Sequence, residues 1–211
     1  MWETAAILKL VSAIVSGIVA PLFVWYVKEY YKKKEEPAET KQEKSPQQYR
    51  NEKIEEEIER IRKEIQAGRI WIAQFHNGGR YIGSVKQASM KKMSINYEAT
   101  ARGVSREEDK ITNVLVSFFS EMIANIINED HVKYVGGEMD VDPEVELLFR
   151  QRGTNVMHLF SMKDIDDVLI GIMGIDYKNE DQKLSEEEIQ YLNVKASLLA
   201  GYLYYANKNN T

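Results

Sequence analysis

An apolar run near the start of the chain constrains it more than any other feature. Residues Ala5 to Val27, AAILKLVSAIVSGIVAPLFVWYV, carry one charge, Lys9, near the outer edge, where a lysine stem can snorkel its ammonium to an interface. At about 1.5 Å per helical residue, roughly 20 residues cross a bilayer core. A cleaved signal peptide has a shorter apolar centre, whereas this run continues through Leu22, Phe23, Val24, Trp25, Tyr26 and Val27, so it predicts a retained membrane anchor. Pro21 is tolerated inside such a span. Lys28, Lys32, Lys33 and Lys34 follow it, with Tyr26, Tyr30 and Tyr31 at interfacial depth. By the positive-inside rule the chain is expected to be a single-pass membrane protein with its soluble part in the cytoplasm.

Three segments are expected: residues 1–34 as anchor and basic flank, residues 35–51 as a polar linker with two prolines, and residues 52–207 as one α/β domain. With no cysteine there is no disulfide framework and no thiolate metal site. His76, His131 and His158 lie far apart in sequence, so neither a metal nor a cofactor is expected. A net charge of −5 gives no general attraction to nucleic acid.

Within the domain, Asn51 is placed to cap a helix in which Ile54, Ile58, Ile61 and Ile65 form a narrow seam, closed by Gly68. The seam suits either a short coiled coil or a helix lying on its own domain. A strand is predicted over Arg69 to Phe75 and a second over Lys91 to Glu98, with Met93, Ile95 and Tyr97 on one face and Lys92, Ser94, Asn96 and Glu98 on the other. A long helix from Arg106 to Asn128 follows, its stripe of Ile111, Val114, Leu115, Phe118, Phe119, Met122, Ile123 and Ile126 destined for a sheet. Pro143 opens a small helix through Phe149, ended by Gly153. Strands at Asn155 to Lys163 and Val168 to Tyr177 read as a hairpin around the turn Asp164-Ile-Asp-Asp167. Ser185 and Glu188 then form a capping box for a last helix with a seam of Ile189, Leu192, Ala196, Leu199 and Leu203.

This order of elements, and in particular the stretch VLIGIMGIDYKNEDQKLSEEEIQYLNVKASLLAGYL (Val168 to Leu203), resembles GAF domains over about residues 52–205. The resemblance implies an α+β fold of the GAF/PAS kind, a central antiparallel sheet with helices on one face and a ligand pocket on the other, here preceded by one transmembrane helix. It also implies a sensing or binding role, although the cysteine that attaches a tetrapyrrole is absent and no cyclic-nucleotide motif is evident. The single span, polar linker and compact domain in 211 residues are also similar to the large single-span holins of some tailed phages. That second resemblance implies a lysis protein with a periplasmic domain, opposite to the topology read from the lysines.

The abrupt end of the first strand supplies the candidate site. In RIWIAQFHNGGR, alternation puts Ile70, Ile72, Gln74 and His76 on one face and Trp71, Ala73 and Phe75 on the other. Asn77-Gly78 suits a tight turn, and the same stretch, with Gly79, suits the presentation of an imidazole, an amide and bare N–H groups to a small polar or anionic ligand. Ser94, Asn96 and Glu98 on the next strand and His158 on a later one are the residues expected to complete that pocket. No nucleophile elbow, phosphate loop, HExxH or fixed carboxylate pair occurs, so no catalytic residue is assigned and no enzyme is expected. The expected function is a membrane-anchored binding or sensing module for a small molecule or protein. A homodimer is expected through Ile54, Ile58, Ile61, Ile65, Ile189, Leu192, Ala196, Leu199 and Leu203.

Overall fold

The computed structural model describes residues 45–77, 91–108, 110–136 and 152–208, together with Trp25, Tyr26, Lys28 and Glu146. The chain divides into two units, Met1–Lys44 and Ser45–Thr211. The expected span Ala5–Val27 lies outside the described residues except for Trp25 and Tyr26, both helical and exposed. Among the described residues no helix is long and apolar enough to cross a membrane.

The second unit opens with α1, Pro46–Glu64, which starts earlier than the linker expected over 35–51 allows. Ser45 is the reason. Its hydroxyl accepts the N–H of Gln48, the Gln48 side chain accepts the N–H of Ser45, and Pro46 fills the first helical position, where no donor is needed. Asn51 is therefore an interior residue and not the cap; its side chain accepts the Tyr97 hydroxyl at 2.9 Å. Gln66, in the left-handed region at φ 53°, turns the chain before Gly68.

The strands are β1 Arg69–His76, β2 Lys92–Thr100, β3 Val114–Leu115, β4 His131–Val135, β5 Val156–Lys163 and β6 Leu169–Tyr177. All neighbours pair antiparallel in one sheet of order β3-β2-β1-β6-β5-β4. A short 3-10 turn, Val116–Phe119, leads into α2, Ser120–Glu129, and α3 is Glu186–Lys208. The expected hairpin is β5–β6, and the expected capping box is present: Ser185 N–H donates to the Glu188 carboxylate and Glu188 N–H to the Ser185 hydroxyl.

Both faces of the sheet carry helices, not one. Ile54, Ile58 and Ile61 of α1 and Leu192, Ala196, Leu199 and Leu203 of α3 pack on Ile70, Ile72, Met173 and Ile175. Met122, Ile123 and Ile126 of α2 pack on Trp71, Ala73, Phe75, Leu159 and Ile172 from the other side. The seams assigned to a dimer interface are thus spent inside the domain. Ile54, Ile58, Ile61, Leu192, Ala196 and Leu199 are fully buried, Ile65 and Leu203 nearly so, and Ile189 lies half-buried at the margin.

Two further expectations are corrected by local hydrogen bonding. The helix expected over Arg106 to Asn128 is confined to Ser120–Glu129. The Glu98 carboxylate accepts the N–H groups of Glu107 and Glu108, the Ile95 N–H donates to the carbonyl of Ile111, and Asn113 turns left-handed at φ 58°, so this backbone is drawn to the sheet edge. The apolar stripe still buries Ile111, Phe119, Met122, Ile123 and Ile126 but leaves Leu115 and Phe118 exposed. The strict alternation expected of β2 is broken by a bulge. Ile72 pairs with Tyr97 and Ala73 with Ile95, so Asn96 is the extra residue. Met93 and Ile95 face α2 while Tyr97 packs with the terminal helices, and Glu98 is returned to the α2 side. The small helix expected over Pro143 to Phe149 lies outside the described residues except for Glu146, which is helical.

Because Ile58 is sealed between α1 and the sheet, Ile58→Ala is expected to lower unfolding free energy by about 2–5 kcal/mol in urea titrations. Ile58→Glu is expected to unfold the domain, not to yield a folded monomer, and circular dichroism distinguishes the two outcomes.

Candidate functional site

The residues expected to form one pocket are distributed over three places. The first is a polar cluster where β1 ends. His76 Nε2 and Ser94 Oγ are 2.9 Å apart, the Asn113 N–H donates to the same Oγ at 2.8 Å, and Asn96 Nδ2 donates to Gln74 Oε1 at 2.6 Å. Ser94 Oγ keeps a proton and a second lone pair after accepting that N–H, so the direction of its bond to His76 follows the imidazole tautomer. Burial, with Lys92 nearby, pushes the His76 pKa below its usual value. Asn77 Oδ1 accepts the Lys91 N–H; Gly78 and Gly79 lie outside the described residues.

Glu98 belongs to a second group, an ion cluster on the opposite face that sequence reasoning missed. Arg69 is nearly fully buried between Glu98, 2.9 Å from its Nε, and Asp176, 3.0 Å from its Nη1, and its Nη2 donates to the Ser105 carbonyl. Asp176 also accepts Trp71 Nε1 at 3.0 Å and the Thr154 hydroxyl at 3.1 Å, with Arg152 Nη2 3.6 Å away. Arg152 stands over the Trp71 ring, and its desolvation outweighs the attraction of Asp176, pushing its pKa down. The indole lies across Gly174, where a Cβ would fall inside the ring, so a glycine is needed there for the close packing. Two residues signal this cluster in the sequence: Arg69 at the head of an apolar strand and Asp176 near the end of another. Neither names its partner, because the register that aligns Arg69 with Asp176 is a tertiary fact.

His158 is in the third place, facing the terminal helices beside His131. Nε2 of His131 and Nδ1 of His158 are 3.0 Å apart, and His131 also stacks on Phe160. Burial, followed by the charges of His131 and Lys133, pushes His158 down to about 4. His131 is also lowered by burial, against the opposing pull of Glu186 and Glu129.

Between α2 and the sheet lies a cavity of about 20 Å3 lined by Trp71, Ile95, Ile111, Met122 and Ile172, with Arg152 in its wall. A polar cleft of about 550 Å3 lies between the β5–β6 turn and α3, lined by Lys163, Asp164, Asp167, Asn193 and Ser197. The aspartates read as turn chemistry there, since Asp164 Oδ1 accepts the N–H groups of Asp166 and Val168. Among the described residues no three His, Asp or Glu side chains converge as a metal site.

Two measurements test these electrostatics. Asp176→Asn removes one of the two carboxylates that flank buried Arg69 and is expected to lower unfolding free energy by about 3 kcal/mol. The histidines act through pH. Their folded pKa values lie below the unfolded value of about 6.5, so their contribution is complete above pH 6.5 and is lost as pH falls, because the unfolded chain takes up protons that the fold refuses. For His158 alone the loss approaches about 3 kcal/mol by pH 4, and denaturant midpoints measured between pH 7.5 and pH 4.5 should fall accordingly.

No protein-family sequence model matches the chain, and no curated protein sequence does. Solved structures do. The blue-light absorbing form of the Thermosynechococcus elongatus PixJ GAF domain superposes with a TM-score of 0.58 at 15% identity over 74% of this chain and 86% of that one. A phycoerythrobilin-bound GAF domain from a cyanobacterial phytochrome gives 0.58 at 10% identity over 78% and 90%. A GAF domain/HD domain protein from Geobacter sulfurreducens gives 0.56 at 11% identity over 74% and 93%. The unit Ser45–Thr211 therefore has the GAF fold expected from its order of elements.

Proposed function

We propose that this chain is a membrane-tethered sensing module, in which a GAF-like domain binds a small molecule on the sheet face under α2 and passes the change to its terminal helices. One packing fact carries the reading. β1 and β6 are buried along their whole length, so the strands that send Trp71, Ala73 and Ile172 toward the cavity send Ile70, Ile72, Met173 and Ile175 toward α1 and α3. A ligand that shifts the first set shifts the second through the backbone they share, because a packed core transmits strain.

The cavity of about 20 Å3 is far below the roughly 300–1,000 Å3 of a drug-sized site. The ligand is therefore very small or enters by displacing α2. Two of the neighbours are named for a bound bilin and for blue-light absorption; this chain has no cysteine, so a bilin would have no thiol to attach to here. The tether is the run Ala5–Val27, and Lys28, Lys32, Lys33 and Lys34 favour a cytoplasmic domain. With the helix seams occupied, a homodimer would pair through outward residues such as Val194 and Leu198, 67% and 44% exposed.

Calorimetric titration of nucleotides, cyclic dinucleotides and common metabolites into the full chain in nanodiscs tests the reading. The expected result is one binding class whose affinity drops at least about tenfold in Ile95→Trp, which fills the cavity. Silence across the panel removes the sensing role, and alkaline phosphatase activity in a fusion after Thr211 removes the cytoplasmic topology.

A further inference from the structure

The pairing of His131 with His158 goes beyond ligand binding. Register aligns His131 with Phe160 and Lys133 with His158, which sets the two histidines diagonally across the β4–β5 ladder. Their ring planes differ by 11°, their centroids are 5.2 Å apart and the facing nitrogens are 3.0 Å apart. The centroid separation exceeds the nitrogen separation by about two ring radii, so the imidazoles meet edge to edge along one line and share a single proton. His158 is 2% exposed, and among the described residues its other nitrogen, Nε2, has no hydrogen-bond partner.

Counting protons gives the consequence. The neutral pair holds two protons on four nitrogens, one of them between the rings. With His158 Nδ1 donating inward, the second sits on the outer Nδ1 of the half-buried His131, and the buried Nε2 carries only a lone pair. Since the gap admits one proton, a third must occupy the remaining outer nitrogen, the buried Nε2, and create a donor with no acceptor. Breaking the pair and turning His131 to solvent avoids this. We propose that the two histidines form an acid-sensitive latch, which fastens β4 and the adjoining α2 to the sheet while one proton lies between the rings and releases them when a further proton is bound.

The surroundings suit a latch. Among the described residues β4 pairs with β5 alone, so this arm is an edge of the sheet. Glu129 at the end of α2 and Glu186 at the start of α3 act on His131, and both favour its protonation. Lys133 on β4 opposes a charge on His158. Tyr177 on β6 presents its ring to His158 edge-on and is held neutral by burial, with Glu188 of α3 acting on it in the same direction. Imidazole is the side chain whose ordinary titration range includes about pH 7.5 to pH 5.5.

Hydrogen exchange of the full chain, corrected for the pH dependence of the intrinsic chemistry, provides the test. Between about pH 7.5 and pH 5.5 the β4 peptide should lose about tenfold in protection relative to β1, and His131→Gln, which keeps a polar partner but does not titrate, should abolish the difference while His76 remains. Parallel changes in β4 and β1, or an unchanged difference in His131→Gln, overturn the latch. Nitrogen-15 spectra of the unaltered chain decide it even where the variant misfolds: His158 Nε2 should be unprotonated at about pH 7.5, and finding it already protonated removes the basis of the mechanism.

Discussion

Two strands of this domain have no solvent face. β1 and β6 are buried at every position, α1 and α3 covering one side and α2 the other. Most of what is unusual in the domain follows from that. A strand covered on both faces is expected to be a continuous apolar run, yet these two contain Arg69, Gln74, His76 and Asp176. Each has to be satisfied inside the protein, and each is: Arg69 and Asp176 by one another, Gln74 by Asn96 and His76 by Ser94. The Asp176 carboxylate receives Arg69, Trp71 and Thr154 together, which is the density of donors a buried anion needs when water is excluded.

The same constraint explains why the interior is asymmetric. On the helix-seam side, small and branched residues of α1 and α3 interlock with isoleucines of the strands, and polar groups appear only toward the ends and the β4–β5 edge. On the α2 side, the indole of Trp71 lies over Gly174 with Arg152 above it, so an ion cluster and an apolar cavity share a wall. A glycine at 174 is the only residue that leaves room for that indole. A glycine at 171 serves the neighbouring approach, where an added Cβ would stand 2.6 Å from the Ala73 carbonyl. Backbone space on β6 is thus as much a part of the site as the side chains of β1.

What could be read from the sequence was local or periodic. The strand at Arg69, the β5–β6 hairpin, the capping box at Ser185 and both helix seams follow from spacing and punctuation, and all are present. The seams were legible as apolar stripes but not as to what they face, because periodicity is silent on whether the partner is a sheet or another copy. The pocket failed for a different reason. Its residues were grouped by strict alternation along β2, and the bulge at Asn96 reverses the face of everything after it, carrying Glu98 to Arg69 and away from His76. The ion cluster was out of reach altogether, since Arg69 and Asp176 stand 107 residues apart and meet only through the β1–β6 register. The first helix began early because Ser45-Pro46 with Gln48 is a start signal that was absorbed into a linker on account of its proline.

The distribution of support across the sheet decides where such a domain can yield. Arg69 joins β1 to β2 and β6 through buried ion pairs, and the isoleucine seams hold these strands to α1 and α3, so the centre moves only as a unit. β4 has none of this. Among the described residues it meets one strand, its first residue faces His158 nitrogen to nitrogen, and the turn before it rests on Asp130, whose carboxylate takes the Ser161 hydroxyl and the Lys163 ammonium near the surface. α2 leads directly into that turn, and its inner residues Met122 and Ile123 form part of the cavity wall. Opening the turn at Asp130, where surface ion pairs are worth about 1 kcal/mol or less, is therefore cheaper than opening the helix-seam side, where each fully buried isoleucine contributes about 1.5–3 kcal/mol. The edge that yields and the centre that moves as a unit are in this way different parts of one sheet, joined at β5 and β6.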